Sequence, residues 1–257
     1  MERLTHAEYL RLAARETVPK STQSSQNIRP PDHNDVQSFN QKRRVCILIF
    51  DEVEVLDFCG PFEVFSVTGG RQGLTPFEVC TASEDGERIT TRGGLSVNPA
   101  YSFENCPRPD IVLMPGGPGT RKEMNNPGML DWLRCNTEGA ELILSVCSGA
   151  LVLAKAGLLN GLSATTHHGA IDELRAIDPD IAVDNEKRVI DNGRVIVSAG
   201  ISAGIDMSLH VVARLMGKEQ ALETARYMEY DWGCKDSQAA WCADVAGCFS
   251  SGVMKLG

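Results

Sequence analysis

Short apolar runs alternate with amphipathic stretches over most of the chain. VCILIF (45–50), FEVCTAS (77–83), DIVLMPGG (110–117), ELILSV (141–146) and RVIVSAG (194–200) are brief and rich in β-branched residues. Runs of that length and type predict buried strands. LSVNPAYSF (95–103) reads as extended, SATTHH (163–168) as a short strand, and IAVDN and VID as two more. Between them lie stretches with apolar residues at three-to-four spacing. These predict helices over 61–66, opened by Pro61, over 128–137, and in GALVLAKAGLL (149–159), IDELRAI (171–177), ISAGIDMSLHVVARLMG (201–217) and EQALETARYMEY (219–230). Strands alternating with helices imply βαβ units and a mostly parallel sheet covered on both faces. The expected fold class is α/β: a three-layer sandwich with a flavodoxin-like central sheet. Asn192-Gly193 predicts a hairpin turn, so Asp191 reads as structural.

The two ends do not share this pattern. Residues 1–44 carry one candidate short helix, with Thr5 and Glu8 spaced as a capping box. A polar stretch with a Pro pair follows, which reads as a flexible or surface-wrapping leader. Residues 233–257 form a weakly patterned tail with three cysteines. The expected organisation is a leader (1–44), one α/β domain (45–232) and a tail.

Composition narrows the function classes. The chain has 257 residues, 42% hydrophobic and 23% charged, with a net charge of -9. An acidic chain lacks the basic footprint that nucleic-acid binding needs, so no nucleic acid is expected as a partner. No apolar run approaches the length of a membrane span, and the N-terminus shows no apolar segment of the secretory type. Acids among the arginines of the first helix argue against a mitochondrial transit peptide. The nine cysteines are an odd number without a C-x-x-C pair. That points to free thiols in a reducing, cytoplasmic setting rather than to disulfides or a spaced zinc motif. Cys46 and Cys80, inside apolar runs, read as buried small hydrophobes.

Four segments at strand ends carry candidate chemistry. In ELILSVCSGALVLAKAGLL a strand runs through one turn residue directly into a helix, the logic of a nucleophile elbow. The turn residue is Cys147. Beside a helix N-terminus its thiol is expected to ionise more easily, unless it is a structural buried cysteine. In MPGGPG the glycines bring backbone N–H groups close to a ligand. Gly117 and Ser148 are candidates for an oxyanion hole with Gly116 alongside, and the alternative is an ordinary tight turn. Asp57, in the apolar FDEVEVLDFCGPFEVF, is a candidate proton donor or else a loop acid or cap; Glu63 is the second candidate. His167 and His168 end the SATTHH strand, and at most one of them can face a site with Cys147.

In this order the segments resemble the ThiJ/PfpI superfamily, which has the class I glutamine-amidotransferase-like fold. The match runs from Arg44 to Trp232 and is most similar to the isocyanide hydratase branch. That branch has D-x-x-G-P-x-E-V, here Asp57 to Val64, and S-V-C-T-G-A, where Ser148 stands in place of the threonine. The resemblance implies Cys147 as nucleophile and Asp57 as essential acid. It implies a small-molecule isocyanide hydrated to an N-formamide through a thioimidate, no metal or organic cofactor, and a homodimer. Related branches imply one alternative, a glyoxalase or deglycase using the same cysteine; a low-pKa exposed thiol is also what a non-enzymatic stress sensor needs. Transcriptional regulators of the superfamily add helix-turn-helix units, for which the stretch after Trp232 is short. Glutamine amidotransferases need a late His-x-Glu pair, which the sequence lacks.

Overall fold

The computed structural model describes residues 42–232. The expectations for residues 1–41 and 233–257 lie outside the described residues. Strands β1 (Arg43–Leu48), β2 (Phe77–Ser83), β6 (Ile111–Met114), β7 (Leu142–Val146) and β11 (Val195–Ser198) come from the predicted apolar runs. They are joined at the edges by β5 (Tyr101–Ser102) and β10 (Val189–Asp191) in a seven-stranded sheet of order β10-β11-β7-β6-β1-β2-β5. Its pairs are parallel except β10 with β11. That hairpin turns at Asn192-Gly193, where Gly193 has φ +85°. The five central strands follow the doubly wound order, in which ligands bind beyond the carboxyl ends of the strands.

The LSVNPAYSF stretch divides between β5 and β4 (Ser96–Val97), which pairs with β3 (Ile89–Thr90) in a separate ribbon. The SATTHH strand shrinks to β8 (Ser163–Ala164), paired with β9 (Ala182–Val183) outside the main sheet.

Helices form two layers. Packed together are α1 (Val55–Val67), α6 (Ala203–Met216) and α7 (Lys218–Tyr227). A second group comprises α2 (Thr120–Glu123), α3 (Pro127–Thr137), α4 (Gly149–Lys155) and α5 (Ile171–Ile177). Between them the side chains of β6, β7 and the Val45–Leu48 part of β1 are almost wholly excluded from solvent. Strands buried on both faces need continuous apolar runs, which is why these segments lack polar alternation.

One helix boundary differs from expectation. Helix α1 begins at Val55, and Pro61 lies inside it rather than at its start. The apolar positions Phe58, Pro61, Val64 and Phe65 share the buried face, so burial carries the helix through the proline. Pro61 has no N–H to offer the carbonyl four residues back, that of Asp57. The shift places Asp57 in the first helical turn. Gly60 makes room for α6: a side-chain carbon there would lie 2.9 Å from Ile205 Cγ1.

Candidate active site

Cys147 occupies the turn between β7 and α4 and has φ +56°. A non-glycine residue in the left-handed region is uncommon, and such strain collects at functional sites. The surroundings hold it there. Its N–H donates to the Ser198 and Ala199 carbonyls at 3.2 and 3.0 Å. Its carbonyl accepts from the buried Thr166 hydroxyl at 2.7 Å. Gly149 lets the turn close, because a side chain there would collide with the Met114 carbonyl.

Asp57 is fully buried. Its Oδ2 accepts from the Gly116 N–H at 2.9 Å. Its Oδ1 is buried and left over from the backbone contacts. The carboxyl and the Cys147 thiol lie close enough to shift each other's ionisation. Gly116 lies against both: a side-chain carbon on it would sit 2.7 Å from Asp57 Oδ2, 2.8 Å from Cys147 Cβ and 2.6 Å from the Ser148 nitrogen. Only glycine lets the MPGG turn press this closely over the pair.

Electrostatics depart from the elbow expectation. The Cys147 thiol is pushed up to about 12, first by burial and then by the Asp57 charge. The backbone N–H groups of Ser148 and Ile201 act in the opposite direction and lose. Helix α4 has seven residues. A short dipole does not offset removal of a thiolate from water beside a carboxylate. Burial likewise pushes Asp57 up to about 7, against the hydrogen bond from Gly116. The pair therefore rests as a thiol beside a carboxyl near its titration midpoint, not as a free thiolate.

The other candidates divide. The Ser148 N–H favours the charged sulfur, whereas the Gly117 N–H donates to Ser148 Oγ at 3.0 Å. The pairing of Gly117 and Ser148 N–H groups as one donor hole is thus not what forms. Gly117 instead braces the Ser148 hydroxyl, which Thr120 Oγ1 also meets at 3.2 Å. The Ile201 N–H acts on the sulfur in the same direction, from a residue the motifs did not single out. Ile201 has φ +50° and follows Gly200 just beyond β11. Glycine beside a strand end was its only trace in the sequence.

His167 forms no hydrogen bond with Cys147. Its Nδ1 accepts from Gly169 N–H at 3.1 Å, and its ring lies 4.0 Å from that of His168. It crosses Gly200 so closely that a side chain there would collide with the imidazole. Burial lowers its pKa, with His168 adding to the effect. Glu63 is exposed on α1, nearly two turns beyond Asp57, and the structure does not bring it to the pair. A cleft of about 360 Å3 opens beside the elbow, lined by Thr166, His167, Arg188, Ala199, Gly200 and Ile201. Cys147 keeps 6% of its surface accessible.

A family model described as the DJ-1/PfpI family matches residues 43–214, which include the elbow, Asp57 and the MPGG turn. The chain belongs to the DJ-1/PfpI family. Among relatives, it is 33% identical over 209 residues to an isonitrile hydratase of Pseudomonas putida, covering 79% of this chain and 88% of that protein. It is also 25% identical over 202 residues to the HTH-type transcriptional regulator GbdR of Pseudomonas aeruginosa, but there it spans about half, 53%, of the relative's length. A solved structure of a ThiJ/PfpI family protein from Pseudomonas syringae superposes with a TM-score of 0.69 at 26% identity, covering 86% of this chain and 93% of that one. The DJ-1/PfpI fold thus accounts for the mostly parallel seven-stranded sheet with helices on both sides. Among the described residues, no helix is long and apolar enough to cross a membrane.

Proposed function

We propose that this protein is a cysteine-dependent isocyanide hydratase, converting an isocyanide and water to an N-formamide. The observation that carries the reading is the buried pair of Cys147 thiol and Asp57 carboxyl. Similarity to an isonitrile hydratase over most of both chains supports the same reaction.

The proton inventory follows from the two pKa directions. Near neutral pH a large share of Asp57 is ionised and Cys147 is a thiol. Asp57 takes the sulfur's proton as the sulfur bonds to the terminal isocyanide carbon. The carboxylic acid so formed returns that proton to the same carbon, leaving a thioimidate. A carboxyl poised near the working pH suits both roles. Ser148 and Ile201 N–H groups hold the sulfur as it carries charge. Water then adds across the C=N bond, the C–S bond breaks, and the sulfur recovers a proton as the N-formamide leaves. One isocyanide and one water enter, and no cofactor is drawn on. We place the enzyme in the cytoplasm as a homodimer.

The sensor alternative needs an easily ionised thiol, and the upward shift of Cys147 counts against it. The test is to add an alkyl isocyanide to the purified protein and follow N-formamide formation. The wild type turns over, and Cys147→Ser does not while keeping its circular dichroism. Turnover of methylglyoxal with none of isocyanide would replace this reading by the glyoxalase one.

A further inference from the structure

A second cluster of thiols lies apart from the Cys147–Asp57 pair. Cys46 in β1 is in register with Cys80 in β2, so the two side chains emerge side by side on one face of the sheet. Cys106, on the connection from β5 to β6, comes up to them. The three Sγ atoms all lie within 4.8 Å of one another, and Cys46 and Cys106 are 3.6 Å apart. Cys46 is fully buried, Cys80 is buried, and Cys106 is partly accessible.

Apolar packing explains one such cysteine, but not three sulfurs converging from three segments. A second observation is a cationic side chain beside the thiols, only partly used by other contacts. Arg44, two residues before Cys46 in sequence only by one intervening position, uses two of its three guanidinium nitrogens: Nη1 donates to the Arg108 carbonyl at 3.2 Å and Nη2 to Glu78 at 3.0 Å. Its Nε is buried with no partner. Arg44 and Cys46 lie two residues apart on β1 and so share one face of the sheet.

We propose that Cys46, Cys80 and Cys106 form a three-sulfur site for a soft monovalent cation, Cu(I). Metal–sulfur bonds of about 2.3 Å put the sulfurs of such a site about 3.7–4.0 Å apart, within small side-chain adjustments of the cluster. Soft thiolates select Cu(I), whereas structural zinc takes four ligands and this group offers three. Three S–H bonds give way to three Cu–S bonds and three protons pass to solvent, with no change of oxidation state. Arg44 offsets part of the residual negative charge. Cys106 is the accessible ligand through which the ion arrives.

The test is an anaerobic titration of the reduced full-length protein with Cu(I) against bathocuproine disulfonate. Wild type and a Cys135→Ser control each retain one more Cu(I) than Cys106→Ser. A second variant has the six other cysteines changed to serine. It keeps that one equivalent, and its copper absorption edge reports three sulfurs at about 2.3 Å. Equal stoichiometry in wild type and Cys106→Ser, or tighter binding of Zn(II) with a fourth ligand, would overturn the assignment. Circular dichroism of Cys106→Ser guards against unfolding as the cause of a loss. Should the six-site variant not fold, the difference between wild type and Cys106→Ser decides.

Discussion

Asp57→Asn tests whether the buried carboxyl holds its proton as the geometry implies. In the folded protein its pKa is about 7, against 3.8 for an ordinary aspartate. The folded state therefore binds more protons than the unfolded chain between those values. Stability from this group is fully present below the unfolded value and is lost as pH rises through the folded one. Each pH unit well inside that window removes about 1.4 kcal/mol, and the slope halves at the folded value, so the wild type loses roughly 2 kcal/mol from this group alone between about pH 5 and pH 7. The amide of the variant cannot titrate, so the variant sheds that component. The assay is urea unfolding of both proteins at pH values across the window, read as the difference in unfolding free energy. The expected result is a variant that gains on the wild type by about 2 kcal/mol as pH rises from 5 to 7, with the gain levelling off above. Parallel stability curves would mean that Asp57 is ionised throughout, and the proton relay built on it would fall.

Two further outcomes follow from the same geometry. Gly116→Ala forces a carbon against Ser148, Asp57 and Cys147 at 2.6–2.8 Å. It should destabilise by about 1–3 kcal/mol and cut turnover by about 100-fold, since displacing a reacting group by about 1 Å has that effect. Near-normal turnover in Gly116→Ala would show that the turn does not position the pair. Iodoacetamide should label wild-type Cys147 slowly at neutral pH, because its thiol sits at about 12. Asp57→Asn removes the second-largest cause of that shift and should label faster above about pH 7, where the wild-type carboxyl is charged. Equal labelling rates, measured by peptide mass, would break the coupling.

Much of this architecture is written in the chain's local pattern. The apolar runs of β1, β6 and β7 announce strands buried on both sides, and a strand-Cys-Ser-Gly-helix sequence leaves little room for anything but an elbow at Cys147. Asp57 is conspicuous because an acid in LDFCGPF has no packing reason to be there. What the sequence hides is set by tertiary contact. Helix α1 runs through Pro61 because its buried face outweighs one missing hydrogen bond. The Gly117 N–H turns to the Ser148 hydroxyl, and the Ile201 N–H, from beyond the end of β11, favours the charged sulfur. No spacing rule links positions 147 and 201. The direction of the Cys147 shift is hidden for the same reason: a helix start is visible in sequence, but the desolvation opposing it is not. Cys46 and Cys80 read correctly as buried, yet their adjacency depends on the β1–β2 register, and Cys106 reaches them only through the chain's return from β5.

The central claim is that the Cys147 sulfur bonds to the substrate carbon and that Asp57 supplies the proton. Acid quenching during turnover of an alkyl isocyanide, followed by peptide mapping, tests it most directly. The expected result is a mass increase equal to one isocyanide on the peptide carrying Cys147, with less of it formed in Asp57→Asn. N-formamide production with that peptide unmodified, or with the adduct on another cysteine, would contradict it.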